Sequence, residues 1–106
     1  MIVVFGSINM DLVVRSPRIP VAGETITGHD FYTAPGGKGA NQAVAVARLG
    51  ARTSMVGRVG NDVFATALLQ SLQDNRVEIS HVSQDEVSPS GVAVIAVDDR
   101  SENSIV

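Results

Sequence analysis

The chain has 106 residues, of which 44% are hydrophobic and 18% charged, with a formal net charge of −3. This balance is typical of one globular domain and excludes an intrinsically disordered chain. Because cysteine is absent and the two histidines lie far apart, we expect neither disulfides nor a metal site. The negative charge and the few aromatic residues argue against nucleic-acid binding. No apolar run approaches the roughly 18 residues of a membrane span, and no signal peptide is evident, so we expect a cytoplasmic protein without a membrane partner.

The chain opens with an apolar run at residues 1–5, which predicts a strand buried on both faces of a parallel sheet. Asn9 and Asp11 follow and alternate around Met10, so in extended backbone their side chains point the same way. Open α/β sheets bind ligands at the carboxyl ends of such strands, and an amide beside a carboxylate suits vicinal hydroxyl groups. Asn and Asp are also ordinary turn residues, and that alternative stays open.

Residues 12–34 form an excursion between the first strand and the first helix. Residues 24–34 are rich in β-forming side chains, which predicts a hairpin that turns near 28–30. We expect residues 12–34 and 91–106 to form a small β lid that excludes water from a site. His29 falls at the predicted turn and is interpreted as a solvated residue without a catalytic role.

A glycine-rich segment at residues 35–42 precedes the first helix, and its three glycines let the backbone turn sharply and approach a ligand closely. A helix that begins here leaves its first N–H groups unpaired at a partly positive end, which favours an anion or a ring of hydroxyls. Lys38, the only lysine, adds a full charge, and Asn41 adds an amide. An ordinary strand-to-helix turn is the alternative reading. Neither the Walker nor the dinucleotide glycine pattern is met.

The remaining pattern alternates helices and strands, which predicts an α/β fold. A helix near 37–49 carries a stripe of small apolar residues and ends at Gly50. A second helix over 62–74 begins with Asp62 as its cap. Strands are predicted at 52–57, at 77–82, at 91–97 and from 102 onward.

Four motifs occur in order: Gly-Ser-Ile-Asn-Met-Asp at 6–11, Pro-x-x-Gly-Glu-Thr at 20–25, the glycine segment with its helix at 36–45, and Gly-x-x-Gly-x-Asp at 57–62. Together they resemble the amino-terminal part of the ribokinase/phosphofructokinase-B family of sugar kinases, over essentially the whole chain. The resemblance implies a ribokinase-like α/β fold, with a partial, mainly parallel sheet, flanking helices and the small β lid. Residues 1–106 would be the amino-terminal portion of such a domain.

The resemblance also implies a sugar site, with a substrate-binding set made of Asn9, Asp11, Gly37, Lys38, Asn41, Ala93 and Ile95. Asn9 and Asp11 would hydrogen-bond sugar hydroxyls, and the last two residues would give an apolar contact to the ring. The glycine segment is similar to that of the family's ribose kinases. The implied activity is transfer of the γ-phosphoryl of ATP to the 5-hydroxyl of D-ribose, with Mg²⁺ and a monovalent cation, K⁺, and with homodimers formed through the lid.

The family's catalytic aspartate, its magnesium-linked segment and its nucleotide pocket have no counterpart in these residues. We therefore expect the chain to carry the sugar half of the site, no catalytic residue, and no turnover by itself. The alternatives are a truncated or engineered non-catalytic fragment that folds or self-associates, and a kinase for another sugar or a nucleoside. A dinucleotide-dependent oxidoreductase is disfavoured because the glycine fingerprint is missing after the first strand.

Overall fold

The computed structural model describes residues 1–106, which divide into two units. The first unit contains Met1–Met10 and Pro35–Gly91, and the second contains Asp11–Ala34 and Val92–Val106. The elements in chain order are β1 (Ile2–Phe5), β2 (Asn9–Arg15), β3 (Asp30–Gly36), α1 (Lys38–Arg48), β4 (Thr53–Gly60), α2 (Val63–Asp74), β5 (Val77–Asp85), β6 (Gly91–Val97) and β7 (Asn103–Ile105). With 11 and 12 residues, neither helix has the length and apolar character needed to cross a membrane.

The first unit is a three-stranded sheet with order β1-β4-β5 and both helices packed on it. Both strand pairs are parallel, and Val4 of β1 stands opposite Met55 of β4. α2 connects β4 to β5, and the connection from β1 to β4 contains β2, β3 and α1, so each parallel pair has the long crossover that it requires. The two predicted helices and the α/β fold class are confirmed.

In the core of the first unit, the small buried residues of α1 are accompanied by larger buried side chains of α2 and the sheet. Its buried apolar side chains are Ile8, Met10, Ala40, Ala43, Ala47, Met55, Val59, Ala65, Leu68, Leu72 and Val77. The alanine face of α1 permits a close approach to the sheet, because short side chains leave the helix backbone near its neighbours. Gly50, with φ of +98°, follows the last turn of α1 as predicted.

The burial of β1 differs from the prediction. Ile2, Val3 and Phe5 are 45%, 59% and 85% exposed, although the apolar run predicted a strand covered on both faces. β1 pairs with β4 along one edge only and lies at the end of its sheet. The prediction was wrong here because an apolar run indicates a buried strand only where neighbouring strands and a covering layer are present.

The second unit contains most of a four-stranded sheet with order β3-β2-β6-β7. β6 and β7 are antiparallel, with Ile95 opposite Ile105, which confirms the predicted returning strand. The N–H of Ser16 donates a hydrogen bond of 3.0 Å to the carbonyl of Val97 and so joins the end of β2 to the end of β6. Val13 and Ser16 are its buried residues.

The hairpin predicted over residues 24–34 is absent. Only β3 is a strand in this region, and its neighbour in the sheet is β2. Residues before it are held as a loop, because Glu24 accepts two hydrogen bonds from the Arg18 guanidinium and one from the N–H of Val21 at 3.1 Å. The bonds from Arg18, and then that from Val21, lower the pKa of Glu24. β-forming composition therefore did not produce a strand where no partner strand was available.

His29 lies just before β3 and is exposed, as predicted for a solvated residue. Its N–H donates to the carbonyl of Arg15 at 2.7 Å. The ring Nε2 lies 3.2 Å from Asp99 Oδ1, a partner that the sequence did not reveal.

Candidate functional site

The turn before α1 brings the glycine segment to Asn9. Gly37 is the N-cap of α1 and has φ of +98°, a left-handed conformation that favours glycine. A Cβ on Gly37 would stand 2.6 Å from the carbonyl oxygen of Ser7 and 3.0 Å from Asn9 Oδ1. Glycine is therefore required for both the conformation and the close approach. The structure places the backbone of Gly37 beside the Asn9 side chain, two of the predicted site residues.

The first turn of α1 is anchored on the backbone that follows β1. The N–H of Ala40 donates to the carbonyl of Ser7 at 3.0 Å, and the N–H of Asn41 donates to the carbonyl of Gly37 at 2.9 Å. A Cβ on Gly39 would stand 2.8 Å from Gly6 Cα, so the two backbones pass in direct contact. These contacts hold the amino-terminal end of the helix in a defined position relative to Asn9.

The electrostatics of this helix end favour a ligand rich in oxygen. Gly37 supplies no side-chain cap, and the first turn of α1 contains no acidic residue. Lys38 is exposed, and none of the three ion pairs of the structure involves it. The partial positive charge of the helix and the Lys38 ammonium are thus left without an internal counterion, as at anion and phosphate sites on helix N-termini.

The predicted site residues are divided between the two units. Asn9, Gly37, Lys38 and Asn41 belong to the first unit, and Asp11, Ala93 and Ile95 belong to the second. Asp11 is half-buried on β2. Ala93 and Ile95 are half-buried on β6, whereas Val92 and Val94 are exposed. Residues two apart share a face of a strand, so Ala93 and Ile95 form one apolar face of β6.

A cavity of about 360 Å³ lies in the first unit between α1 and α2. Apolar and polar residues both line it, and two of the polar ones are joined by a hydrogen bond of 2.9 Å from Arg48 Nε to Asn75 Oδ1. Asn41 is the one predicted site residue that lines it. Gly37 and Asn9 are not among its lining residues.

The side chains of this chain do not fit a metal site. No three His, Asp or Glu side chains converge in a way that could hold an ion. The chain therefore offers no cluster of carboxylates for the Mg²⁺ that the family resemblance implies.

Sequence reasoning missed one buried polar cluster. Ser90 is only 4% exposed, and its N–H and hydroxyl both donate to the Asp62 carboxylate, at 2.7 and 2.8 Å. The Ser90 N–H is the leading cause of a lowered pKa at Asp62, with help from the Ser90 hydroxyl and from two N–H groups of α2. Asp62 was predicted as a helix cap, which its 3.1 Å bond from Ala65 N confirms. No local pattern singled out Ser90, which is one of several serines in a polar loop.

The α/β fold and the glycine turn at the start of α1 agree with the family that the ordered motifs predicted. The pfkB family carbohydrate kinase domain matches residues 1–106, and the chain belongs to this family. The predicted resemblance is thus confirmed, and the members of this family are carbohydrate kinases.

Individual relatives are similar over nearly the whole chain. Ribokinase of Bacillus subtilis is 51% identical over 105 residues, which are 99% of this chain and 36% of that protein. Deoxyribokinase of Salmonella typhi is 39% identical over 105 residues, covering 99% of this chain and 34% of that one. The structure of Arabidopsis thaliana ribokinase complexed with ribose and ATP matches with a TM-score of 0.90 and 38% identity, over 99% of this chain and 34% of that one. The chain spans about a third of the length of these relatives.

Proposed function

We propose that the chain carries the sugar-binding half of a ribose kinase, which transfers the γ-phosphoryl of ATP to the 5-hydroxyl of D-ribose. The observation that supports it most directly is the Gly37 turn, which places the positive end of α1 beside the Asn9 amide. The similarity to proteins named ribokinase supports ribose as the sugar.

Each predicted site residue has a role that its chemistry suits. Asn9 donates to and accepts from sugar hydroxyls, and Asp11 accepts from them. Gly37 and Asn41 offer further hydrogen bonds at the start of α1, and the Lys38 ammonium favours the negative charge of the transferred phosphoryl group. Ala93 and Ile95 provide the apolar contact to the sugar ring.

The relatives are about three times as long as this chain, and the other groups that the reaction needs are expected in the part of them that the chain does not match. We propose that the nucleotide, Mg²⁺, K⁺ and the base for the 5-hydroxyl are bound or supplied there, because phosphoryl transfer needs these groups and no three His, Asp or Glu side chains of this chain converge to hold a metal ion. We also propose a cytoplasmic location and homodimers formed through the second unit as a lid. The exposed Phe31, Tyr32 and Val94 of that unit support such a contact.

Calorimetric titration of D-ribose into the chain and into Asn9→Ala tests the proposal. We expect weak binding by the wild type and a loss of about tenfold or more in Asn9→Ala, because an unpaired sugar hydroxyl costs free energy when it is desolvated. Gln73→Ala is the matched control, since Gln73 is an exposed polar residue on α2. Equal affinity of Asn9→Ala and the wild type would contradict the proposed site.

A deoxyribose kinase is the second candidate, favoured by the similarity to a deoxyribokinase. A parallel titration with 2-deoxy-D-ribose distinguishes the two. A site built to bond the 2-hydroxyl rejects the sugar that lacks it, whereas a site without that bond does not. Stronger binding of 2-deoxy-D-ribose would favour the second candidate.

A further inference from the structure

Ser90 lies just before β6 and is hydrogen-bonded to the end of β4 and to the residue that caps α2. Its hydroxyl donates to Asp62 Oδ1 at 2.8 Å and accepts from the N–H of Gly60 at 2.9 Å, while its own N–H donates to Asp62 Oδ2 at 2.7 Å. Hydrogen bonds to an ionised carboxylate are short and strong, so the backbone at Ser90 is tied to the beginning of α2. The same carboxylate caps α2 through Ala65 N, so the helix in turn fixes the carboxylate.

Gly60, at the end of β4, has no space for a side chain next to the Ser90 backbone. A Cβ on Gly60 would stand 2.3 Å from Ser90 N and 2.5 Å from the carbonyl carbon of Pro89. The backbones of Gly60 and Ser90 are therefore in direct contact, and Ser90 cannot move toward β4. A buried, fully bonded serine between a carboxylate and a backbone N–H has little positional freedom.

The next residue, Gly91, begins β6 and lies against Asn9. A Cβ on Gly91 would stand 3.1 Å from Asn9 Cβ and 3.5 Å from the carbonyl oxygen of Ile8. Asn9 is thus enclosed on one side by Gly91 and on another by Gly37, which approaches Asn9 Oδ1. Ser90 immediately precedes Gly91 in the chain, so the hydrogen bonds that fix Ser90 also limit the backbone position of Gly91.

We infer that Asp62 and Ser90 are positioning residues that hold the backbone of Gly91 against Asn9 and so fix the Asn9 amide for sugar binding. This role rests on the proposed function, because Asn9 is the group that touches the sugar. A small displacement of a binding group weakens a geometrically defined site strongly, so loss of the connection should affect sugar affinity and not only folding.

Four variants separate positioning from stability. Ser90→Ala removes the hydroxyl, whereas Ser90→Thr retains a hydroxyl at the same position. Asp62→Asn preserves a good helix cap, but its amide nitrogen cannot accept from the Ser90 N–H. Thr53→Ala is the matched control, because Thr53 is 3% exposed and its hydroxyl donates to Ala51 O at 3.0 Å, at the opposite end of β4.

Two readouts are measured on each variant: the ribose dissociation constant by calorimetry, and the ¹H–¹⁵N resonances of the Asn9 side-chain amide and the Gly91 N–H without ribose. We expect Ser90→Ala and Asp62→Asn to shift both resonances and to weaken ribose binding about 3- to 30-fold. Ser90→Thr should recover most of the affinity. Thr53→Ala should lower the thermal midpoint and leave the dissociation constant within about twofold.

The outcomes separate this role from the proposed function. A wild-type chain that does not bind ribose overturns the proposed function, while the two resonances, measured without sugar, still test the positioning. Unchanged Asn9 and Gly91 resonances in Ser90→Ala overturn the positioning role. A loss of ribose affinity in Thr53→Ala as large as in Ser90→Ala also overturns it, because a general loss of stability would then explain both.

Discussion

Gly37 and Gly50 have the same φ of +98°, but their surroundings differ. A Cβ on Gly50 would meet no heavy atom within 4 Å, whereas a Cβ on Gly37 would stand 2.6 Å from the Ser7 carbonyl oxygen. The pair separates two reasons for glycine at a turn, the left-handed conformation and the close approach of two backbones.

We predict that Gly50→Ala lowers the free energy of unfolding by about 1–2 kcal/mol, the cost of left-handed backbone for a residue with a Cβ. Gly37→Ala should lose a further 1–3 kcal/mol, roughly the cost of overpacking, because only backbone movement relieves its contact with Ser7. Urea unfolding of both variants measures the difference. Equal losses would show that the approach of Ser7 contributes nothing.

Asp62 gives a prediction for pH. Its hydrogen bonds from Ser90 hold its pKa below the ordinary value, so the folded chain binds fewer protons there than the unfolded chain. This contribution is complete above about pH 4, the ordinary aspartate pKa, and is lost as the pH falls through the lowered folded value.

We therefore expect the difference in stability between the wild type and Asp62→Asn to shrink as the pH falls below about 4, the ordinary aspartate pKa, because the pKa of the folded Asp62 lies lower. Urea unfolding at intervals of pH measures it. Glu24 and Asp85, whose pKa values are also lowered, are present in both proteins and cancel in the comparison. A difference that stays constant over this range would contradict the assignment.

At the scale of elements, α2 is held by one buried face. Ala65, Leu68 and Leu72 are 1%, 1% and 2% exposed, and the helix packs on β4 and β5. An isolated helix of this length is marginal in water, so its stability comes from this packing and from its Asp62 cap.

We predict that Leu72→Ala lowers the free energy of unfolding by about 2–5 kcal/mol, the range for a buried leucine that leaves a cavity. Leu49→Ala is the control, because Leu49 is 88% exposed after α1 and should change stability by less than about 0.5 kcal/mol. Thermal unfolding followed by circular dichroism measures both. Similar losses in the two variants would contradict the packing of α2 described above.

At the scale of the whole molecule, the chain corresponds to about a third of its relatives' length. We predict no turnover when the purified chain is given ATP, Mg²⁺, K⁺ and D-ribose in a coupled kinase assay, because phosphoryl transfer needs nucleotide and metal positioned against the sugar. A full-length ribose kinase is the positive control. Turnover by the chain would refute the assignment of the catalytic base outside these residues.

The exposed edge of β1 gives a prediction for association. Val3 and Phe5 are 59% and 85% exposed on a strand at the end of its sheet, which favours pairing between copies. Phe5→Ser should reduce the concentration-dependent light scattering of the chain. Val63→Ser is the control, because Val63 is 83% exposed but lies on α2. Equal scattering by both variants would contradict a role for the β1 edge.

The sequence by itself determined the elements whose signals are local. The glycine segment, the alanine stripe and the Asp62 cap were sufficient to predict both helices, because backbone freedom, periodicity and capping depend on residues a few positions apart. The ordered motifs were sufficient to predict the family, which the match over residues 1–106 confirms.

The tertiary structure decided what depends on residues distant in the chain. Whether β1 is covered, whether β3 pairs with a hairpin partner or with β2, and where the Ser90 hydroxyl is satisfied are questions of which segments meet. Pairing and burial are properties of both partners, and a local pattern describes only one of them. The local pattern did not connect Asn9 with Gly37, and only the family resemblance placed them in one predicted site; the folded chain brings the Gly37 backbone beside the Asn9 side chain.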